Sequence, residues 1–269
     1  MLVGDGIVDL ARRSGGTLGP DPMAAIATWD EAAAFTAGLR PDDADGPIDE
    51  ATLGPPVPRP SKVFGIGMNY RAHAQEAGLE IPLSPVVFTK FPSCLVGPRA
   101  DVVLSSGYVD WEVELVVVIG RRGRRIAERD ALAHVAGYTV GQDVSDRKLQ
   151  FTDKPPQFSM GKSLDTFGPI GPAVVSLDEI PNPNDLALTC DVGGERMQDA
   201  RTSDLIFDVA ALVVFLSSLC TLEPGDLIFT GTPSGVGSTR SPRRYLQPGE
   251  EIVSTIERLG TMRNRCVAG

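Results

Sequence analysis

Short runs of β-branched residues, each ended by glycine, proline, asparagine or aspartate, recur from residue 62 to residue 257. The chain contains 29 glycines and 22 prolines, which interrupt it too often for a succession of long helices. Apolar runs of this length and composition are typical of β-strands. We predict strands at residues 62–67, 86–88, 102–104, 113–119, 137–140, 173–175, 186–190, 227–230 and 251–257.

Few segments carry a helical pattern. Residues 203–219 have the clearest one, because apolar side chains recur at the helical spacing and Ser203 is suited to cap the N-terminus. Weaker helical patterns predict two further helices, at residues 29–39 and 126–135. Since the strands do not alternate regularly with helices, a doubly wound sheet is disfavoured. We predict an α+β, β-rich fold with a rolled or barrel-like sheet and a few peripheral helices.

The first part of the chain differs from the rest. A short helical stretch is followed at residues 40–60 by an acidic segment rich in aspartate, proline and glycine. We therefore interpret residues 1–58 as a small N-terminal subdomain with a linker, and residues 59–269 as the main domain.

The composition restricts the partners of this protein. Its formal net charge of -10 disfavours binding to nucleic acid or to an anionic membrane surface. An anionic ligand would require a bound cation or a local cluster of lysine and arginine. The four cysteines form no Cys-x-x-Cys pair, and the N-terminus lacks an apolar signal segment. These features predict reduced thiols and a cytoplasmic location.

Acidic residues come at the ends of two predicted strands. Glu112 and Glu114 are two residues apart at the start of a long apolar run, so their side chains project from the same side of the strand. Asp143 follows the next strand and adds a third carboxylate if the two strands are neighbours. Three such groups are typical of a site for a hard cation such as Mg²⁺, with water completing the coordination.

Two alternatives remain open for these carboxylates. Glu112 and Glu114 alone are equally consistent with a solvated strand end. All three carboxylates are also consistent with structural calcium in a β-domain that has no catalytic activity. Zinc is disfavoured because the sequence has no cluster of histidine and cysteine.

One of the two histidines has an acidic neighbour. His73 and Glu76 are three residues apart in a short predicted helix at residues 70–77, so their side chains touch if the helix forms. A carboxylate that orients an imidazole produces a general base, and flanking glycines suit a mobile lid. The alternative is an exposed helix with an incidental ion pair. Lys162 lies in a glycine- and proline-flanked loop, where its charge suits an enolate or carboxylate.

Five motifs resemble those of the fumarylacetoacetate hydrolase superfamily in the same order, over residues 62–257. They are Asn69-Tyr70-x-x-His73-x-x-Glu76, Glu112-x-Glu114, Gln142-Asp143-Val-Ser-x-Arg147-x-x-Gln150, Gly161-Lys162-x-x-Asp165 and Gly231-Thr232-Pro233. The motifs look most similar to those of the fumarylacetoacetate hydrolase domain-containing proteins and of the bacterial acylpyruvate hydrolases and diketo-sugar-acid hydrolases. Two positions depart from the family pattern, which often has Asn in place of Gln142 and Asp in place of Lys148.

The resemblance implies a mixed β-sheet roll and a homodimer. It also implies Mg²⁺ (or Mn²⁺) bound by Glu112, Glu114 and Asp143. The implied catalytic residues are His73, Glu76 and Lys162, and the implied substrate-binding residues are Tyr70, Arg147, Gln150 and Thr232.

The activity implied by the resemblance is Mg²⁺-dependent hydrolysis of a carbon–carbon bond in a small anionic 2-oxo acid, of the acylpyruvate or diketo-acid type. Decarboxylation of oxaloacetate and isomerisation or tautomerisation of a 2-oxo acid require the same stabilisation of an enolate, so they remain alternatives. A further alternative is a ligand-binding relative without activity, which the presence of both His73 and Glu76 disfavours.

Overall fold

The computed structural model describes residues 1–269. The strands are Leu2–Val3 (β1), Gly6–Ile7 (β2), Gly46–Pro47 (β3), Val63–Gly67 (β4), Val86–Thr89 (β5), Leu95–Val96 (β6), Val102–Leu104 (β7), Val109–Asp110 (β8), Val113–Ile119 (β9), Val135–Gln142 (β10), Ser145–Asp146 (β11), Gly168–Ser176 (β12), Ala187–Val192 (β13), Glu195–Arg201 (β14), Leu227–Phe229 (β15), Glu251–Ile256 (β16) and Gly260–Ala268 (β17). The α-helices are Leu10–Arg13 (α1), Pro22–Ala27 (α2), Trp29–Thr36 (α3), Arg71–Glu76 (α4), Arg147–Gln150 (α5), Phe158–Gly161 (α6) and Val209–Leu219 (α7).

A seven-stranded sheet, here called the main sheet, has the order β5-β4-β15-β9-β10-β12-β6. Its central strand β9 is completely buried. Val113, Leu115 and Val117 contribute to one hydrophobic cluster, whereas Val116 and Val118 contribute to another. A strand that is covered on both faces needs apolar side chains on both, which explains the uninterrupted apolar run in the sequence.

A five-stranded sheet, here called the second sheet, has the order β14-β13-β16-β17-β7 and packs on one side of β9 and β10. On the other side, Ile26 and Val57 from the N-terminal part pack into the smaller hydrophobic cluster. The strand-rich α+β fold class predicted from the sequence is confirmed. The division at residue 58 stays a prediction.

The prediction of a helix at residues 126–135 is wrong. The segment consists of two 3-10 turns, Glu128–Asp130 and Leu132–His134, and then enters β10. Its first backbone groups bond to a different element, because the Ile126 N–H donates to Ser217 Oγ at 3.0 Å. The chain therefore satisfies these groups through tertiary contacts rather than through a helix.

The helix predicted at residues 203–219 exists, but it begins at Val209. Asp208 rather than Ser203 is the N-cap, and its side chain accepts a hydrogen bond from a first-turn N–H at 2.9 Å. The preceding residues cannot join the helix, since the Phe207 N–H donates to Asn69 Oδ1 at 2.8 Å. None of the helices has the length and apolar character needed to cross a lipid bilayer.

Candidate active site

The three predicted metal-binding carboxylates lie together where the neighbouring central strands β9 and β10 of the main sheet begin and end. Val113 of β9 pairs with Gln142 of β10 in antiparallel register, so the residues just beyond this pair are neighbours. The Asp143 N–H donates to the Glu112 carbonyl at 2.9 Å. Glu112, Glu114 and Asp143 are buried and offer oxygens within 4.8 Å of one another. We call these three residues the carboxylate cluster.

Two buried lysines contact this cluster. Lys162 Nζ donates to Glu112 Oε2 and to Asp143 Oδ2, each at 2.7 Å, and to Ser145 Oγ at 2.8 Å. Lys90 Nζ donates to Asp143 Oδ1 at 2.7 Å. The sequence analysis missed Lys90. The only available signal was a lysine directly after a strand and before Phe91, which by itself does not indicate a buried position.

Arg147 and Gln150 lie on α5, whose first N–H groups are capped by the side chain of Asp146. The Arg147 guanidinium donates from Nε to Asp110 Oδ1 at 2.6 Å and from Nη2 to Glu112 Oε1. Its Nη1 donates to Gln150 Oε1 at 2.9 Å. These two predicted substrate-binding residues therefore bond each other, and Arg147 also orients a member of the carboxylate cluster.

The charges of the site shift the pKa values of the cluster in opposite directions. Burial raises the pKa of Glu112, but Lys162 and Arg147 outweigh burial and lower it to about 2. The pKa of Glu114 is raised well above its usual range, first by burial and then by the charges of Asp143 and Glu112. Burial lowers the pKa of Lys162, but the same two carboxylates raise it overall, so the side chain stays an ammonium group.

The donor set fits a divalent cation. Four carboxylates of the site, those of Asp110 and the cluster, face only three cationic side chains: Lys90, Arg147 and Lys162. Glu114 is the one member of the cluster that forms no ion pair with these side chains, and burial, followed by the charges of Asp143 and Glu112, raises its pKa. Two oxygens bound to one cation lie at most about 4.2–4.8 Å apart, twice a metal–oxygen bond of about 2.1–2.4 Å, and the cluster oxygens lie within that limit.

The predicted dyad of His73 and Glu76 forms on α4. His73 Nδ1 lies 3.2 Å from Glu76 Oε2, and the histidine is close enough to the carboxylate cluster for its charge to affect the pKa of Glu112. Burial raises the pKa of Glu76, but hydrogen bonds from His73 and from the Gly235 N–H lower it overall. Glu76 therefore stays ionised and can stabilise a protonated imidazole.

The loop at residues 231–237, here called the glycine loop, connects the dyad to the carboxylate cluster. The Gly235 N–H donates to both oxygens of Glu76, at 3.1 and 3.2 Å. The Gly235 carbonyl accepts a hydrogen bond from Trp111 Nε1 at 3.1 Å, and Trp111 directly precedes Glu112 in the chain. At the start of the loop, the Gly231 N–H donates to Glu114 Oε2 at 2.7 Å.

Two buried glutamines hold the backbone beside the cluster. Gln142 Oε1 accepts from the Glu112 N–H at 2.6 Å, and Gln198 Oε1 accepts from the Val113 N–H at 3.0 Å. Gln198 also donates to Thr232 Oγ1 at 2.8 Å, while the Thr232 hydroxyl donates to the Val113 carbonyl at 2.9 Å. The hydroxyl of Thr232, a predicted substrate-binding residue, thus both accepts and donates a hydrogen bond within the protein.

Tyr70, the remaining predicted substrate-binding residue, precedes α4. Its hydroxyl is buried and has no hydrogen-bond partner in the protein. Burial raises the pKa of this phenol, and the charge of Glu114 raises it further. The hydroxyl is therefore a neutral donor near the carboxylate cluster, where it is free to bond a ligand.

A strand-rich sheet that carries a buried carboxylate cluster beside a histidine–glutamate dyad is suited to acid–base chemistry assisted by a cation. The family described as fumarylacetoacetate (FAA) hydrolase C-terminal matches residues 62–267. The chain belongs to the fumarylacetoacetate hydrolase family, and the resemblance found in the sequence is confirmed.

Individual relatives are similar over most of the chain. The mitochondrial oxaloacetate tautomerase FAHD2B of Bos taurus is 46% identical over 223 residues, which cover 82% of this chain and 71% of that protein. A crystal structure from Mycobacterium smegmatis is 47% identical, has a TM-score of 0.95 and covers 100% of this chain and 96% of that one.

A solved enzyme with a bound metal is also similar. The crystal structure of fumarylpyruvate hydrolase from Pseudomonas aeruginosa in complex with Mn²⁺ and pyruvate is 34% identical. It has a TM-score of 0.70 and covers 78% of this chain and 91% of that one. The relatives are thus enzymes with different reactions on small acids.

Proposed function

We propose that this protein is an oxaloacetate tautomerase that depends on Mg²⁺ or Mn²⁺. The observation that carries the proposal is the dyad of His73 and Glu76, which places a proton-transfer group beside a buried set of carboxylates and cations. Tautomerisation requires a proton to move between carbon and oxygen through an enolate, without attack by water. The 46% identity to an oxaloacetate tautomerase favours this reaction over the carbon–carbon hydrolysis that the sequence analysis put first.

The cation would be held by Glu112, Glu114 and Asp143. When bound, Mg²⁺ or Mn²⁺ supplies a Lewis acid that polarises the 2-oxo group and stabilises the negative charge of the enolate. Lys162 contributes a second positive charge, because its raised pKa keeps the side chain an ammonium group. The net charge of the site then suits a small anionic 2-oxo acid, although the whole chain is acidic.

His73 is the proposed proton carrier. Its Nδ1 faces Glu76, so Nε2 is available to take a proton from the carbon next to the 2-oxo group. The electrons of that C–H bond then form the carbon–carbon double bond, and the oxo oxygen receives the negative charge. The proton finally returns to that oxygen to give the enol. Glu76 stabilises the protonated imidazole between these two steps.

Hydrolysis of an acylpyruvate is the second candidate. It is supported by the similarity to the fumarylpyruvate hydrolase that was solved with Mn²⁺ and pyruvate. In that reaction His73 would take its proton from water, and the resulting hydroxide would attack the distal carbonyl. The carbon–carbon bond beside that carbonyl then breaks, so that the acyl half leaves as a carboxylic acid and the bond electrons remain on the pyruvate enolate. The same residues would stabilise this enolate, so the substrate decides which reaction is observed.

An assay of purified protein with Mg²⁺ or Mn²⁺ tests the proposal. Because the same proton transfers run in reverse from the enol, we expect faster loss of the enol absorbance of oxaloacetate, without pyruvate formation, and little release of pyruvate from acylpyruvates. His73→Ala should lower the rate by roughly 10²–10⁴. His134→Ala is the matched control, because this other histidine is only half-buried, lies outside the site, and its side chain bonds only the Arg121 carbonyl. Rapid acylpyruvate cleavage with no effect on oxaloacetate would instead establish the hydrolase.

Pyruvate formation from oxaloacetate would identify a decarboxylase. The homodimer stays a prediction from the family resemblance and can be measured by light scattering. The cytoplasmic location also stays a prediction, and the related protein from Bos taurus is described as mitochondrial.

A further inference from the structure

Each member of the carboxylate cluster has one oxygen that is bonded by a donor of limited mobility. Arg147 Nη2 donates to Glu112 Oε1, and the Gly231 N–H donates to Glu114 Oε2 at 2.7 Å. Lys90 Nζ donates to Asp143 Oδ1 at 2.7 Å. The oxygens that remain for a cation are therefore one from each carboxylate.

Lys90 is held more firmly than Lys162. Its side chain is completely buried, and its three N–H groups donate to Asp143 Oδ1 and to the carbonyls of Lys162 and Phe167. Two of these three acceptors belong to the backbone, so the ammonium group cannot leave without losing main-chain hydrogen bonds. Lys162, in contrast, bonds only side-chain oxygens. It can therefore move aside when a cation approaches the two oxygens that it contacts.

We propose that Lys90 is a positioning residue that limits Asp143 to one coordinating oxygen and thereby selects Mg²⁺ and Mn²⁺ over Ca²⁺. Mg²⁺ takes six ligands in a regular octahedron and retains several waters, which suits three single oxygens from the protein. Ca²⁺ takes six to eight oxygens and gains from carboxylates that bind through both atoms. With Lys90 in place, Asp143 offers Ca²⁺ no second oxygen.

This inference rests on the proposed function insofar as that function requires a divalent cation at the cluster. It goes further because it assigns metal selectivity to a residue that does not bind the metal. A residue that orients a metal ligand typically changes metal affinity by about 10- to 100-fold when it is replaced.

The test is Lys90→Met, which keeps the length of the side chain but removes the ammonium group. Calorimetry of the full-length protein gives the dissociation constants for MgCl₂, MnCl₂ and CaCl₂. We expect the ratio of the Ca²⁺ to the Mg²⁺ dissociation constant to fall about tenfold or more. Lys62→Met is the matched control, because Lys62 forms a similar ion pair with the buried Asp226, at 2.8 Å, away from the cluster. Its ratio should equal that of the wild type.

An equal change in the affinity for all three cations would overturn the inference, since it would show that Lys90 acts only through its charge. If Lys90→Met does not fold, the same ratio of the Ca²⁺ to the Mg²⁺ dissociation constant is measured for Arg147→Met. This substitution frees the second oxygen of Glu112, so the ratio should fall as well. Failure of the wild-type protein to bind any of the cations would overturn the metal site and with it the proposed function. Binding of Mg²⁺ with an unchanged ratio in Lys90→Met, or in Arg147→Met where that variant replaces it, would overturn the selectivity inference alone.

Discussion

Glu76 forms hydrogen bonds that contribute to stability, and it is also the proposed partner of His73 in proton transfer. Its carboxylate accepts hydrogen bonds from His73 and from the Gly235 N–H, and these bonds hold its pKa below the ordinary value of 4.5, against the effect of burial. A carboxylate with a lowered pKa in the folded state stabilises the protein above its unfolded pKa. This contribution is lost as the pH falls through the folded pKa.

Glu76→Gln should therefore destabilise the protein near neutral pH by about 0.5–1 kcal/mol, a modest value because the side chain is partly exposed. The difference from the wild type should disappear in acid, below the lowered pKa of Glu76. Urea denaturation at several pH values measures it. The activity should fall less than in His73→Ala, because the imidazole is retained. A stability difference that does not depend on pH would contradict an ionic role.

At the residue scale, sequence reasoning was effective where the partners are close in the chain. The two-residue spacing of Glu112 and Glu114 and the three-residue spacing of His73 and Glu76 follow from strand and helix geometry, and the structure brings each pair together. Lys90 bonds a carboxylate 53 residues away, so no local spacing indicates its role. Such long-range contacts follow from the fold and not from a motif.

The glycine loop depends on a backbone conformation that other residues rarely adopt. Gly235 has a φ of +100°, and a Cβ at this position would overlap the Met197 carbonyl oxygen. Gly235→Ala should thus cost at least about 1–3 kcal/mol from strain alone. Because the loop must shift, the hydrogen bonds from its N–H to Glu76 should be lost, and we expect kcat to fall at least about tenfold.

Denaturant unfolding and steady-state kinetics measure both effects. Gly107→Ala is the control, since a Cβ there meets no atom within 4 Å. A Gly235→Ala variant with normal kcat would show that the loop does not position the dyad.

At the scale of elements, six of the seven strands of the main sheet were predicted, whereas its two-residue edge strand β6 and two strands of the second sheet were not. β17 alternates between buried and exposed residues, but Asn264 occupies one of its buried positions, so the apolar alternation is broken. β14 is an edge strand with mostly polar residues, and only Met197 and Gln198 in it are buried. A polar residue in the core conceals a strand from any method that relies on hydrophobic periodicity.

The site lies where the main sheet and the second sheet meet, and buried glutamines connect the two. Gln142 of β10 donates to Ser254 of β16 at 2.9 Å and accepts from the Glu112 N–H. Gln198 of β14, in the second sheet, accepts a hydrogen bond from the Val113 N–H of β9, in the main sheet. The position of the carboxylate cluster therefore depends on how the two sheets pack, which explains why five short motifs are distributed over most of the chain.

Gln198→Met tests this dependence. The substitution retains the volume of the side chain but leaves the Val113 N–H without its acceptor and removes the donor to Thr232 Oγ1. We expect a loss of about 1–3 kcal/mol in the free energy of unfolding, because these groups are buried. Gln247→Met is the control, since that glutamine is exposed and lies outside the interface between the sheets.

The same variant should also weaken Mg²⁺ binding, although Gln198 contacts no member of the carboxylate cluster through its side chain. Val113 lies between Glu112 and Glu114, so a shift of its backbone displaces both carboxylates. We expect the dissociation constant to rise about 10-fold or more, as for other residues that orient metal ligands. Reduced stability with unchanged Mg²⁺ affinity would mean that β9 holds the carboxylates by itself and that packing of the second sheet contributes only to folding.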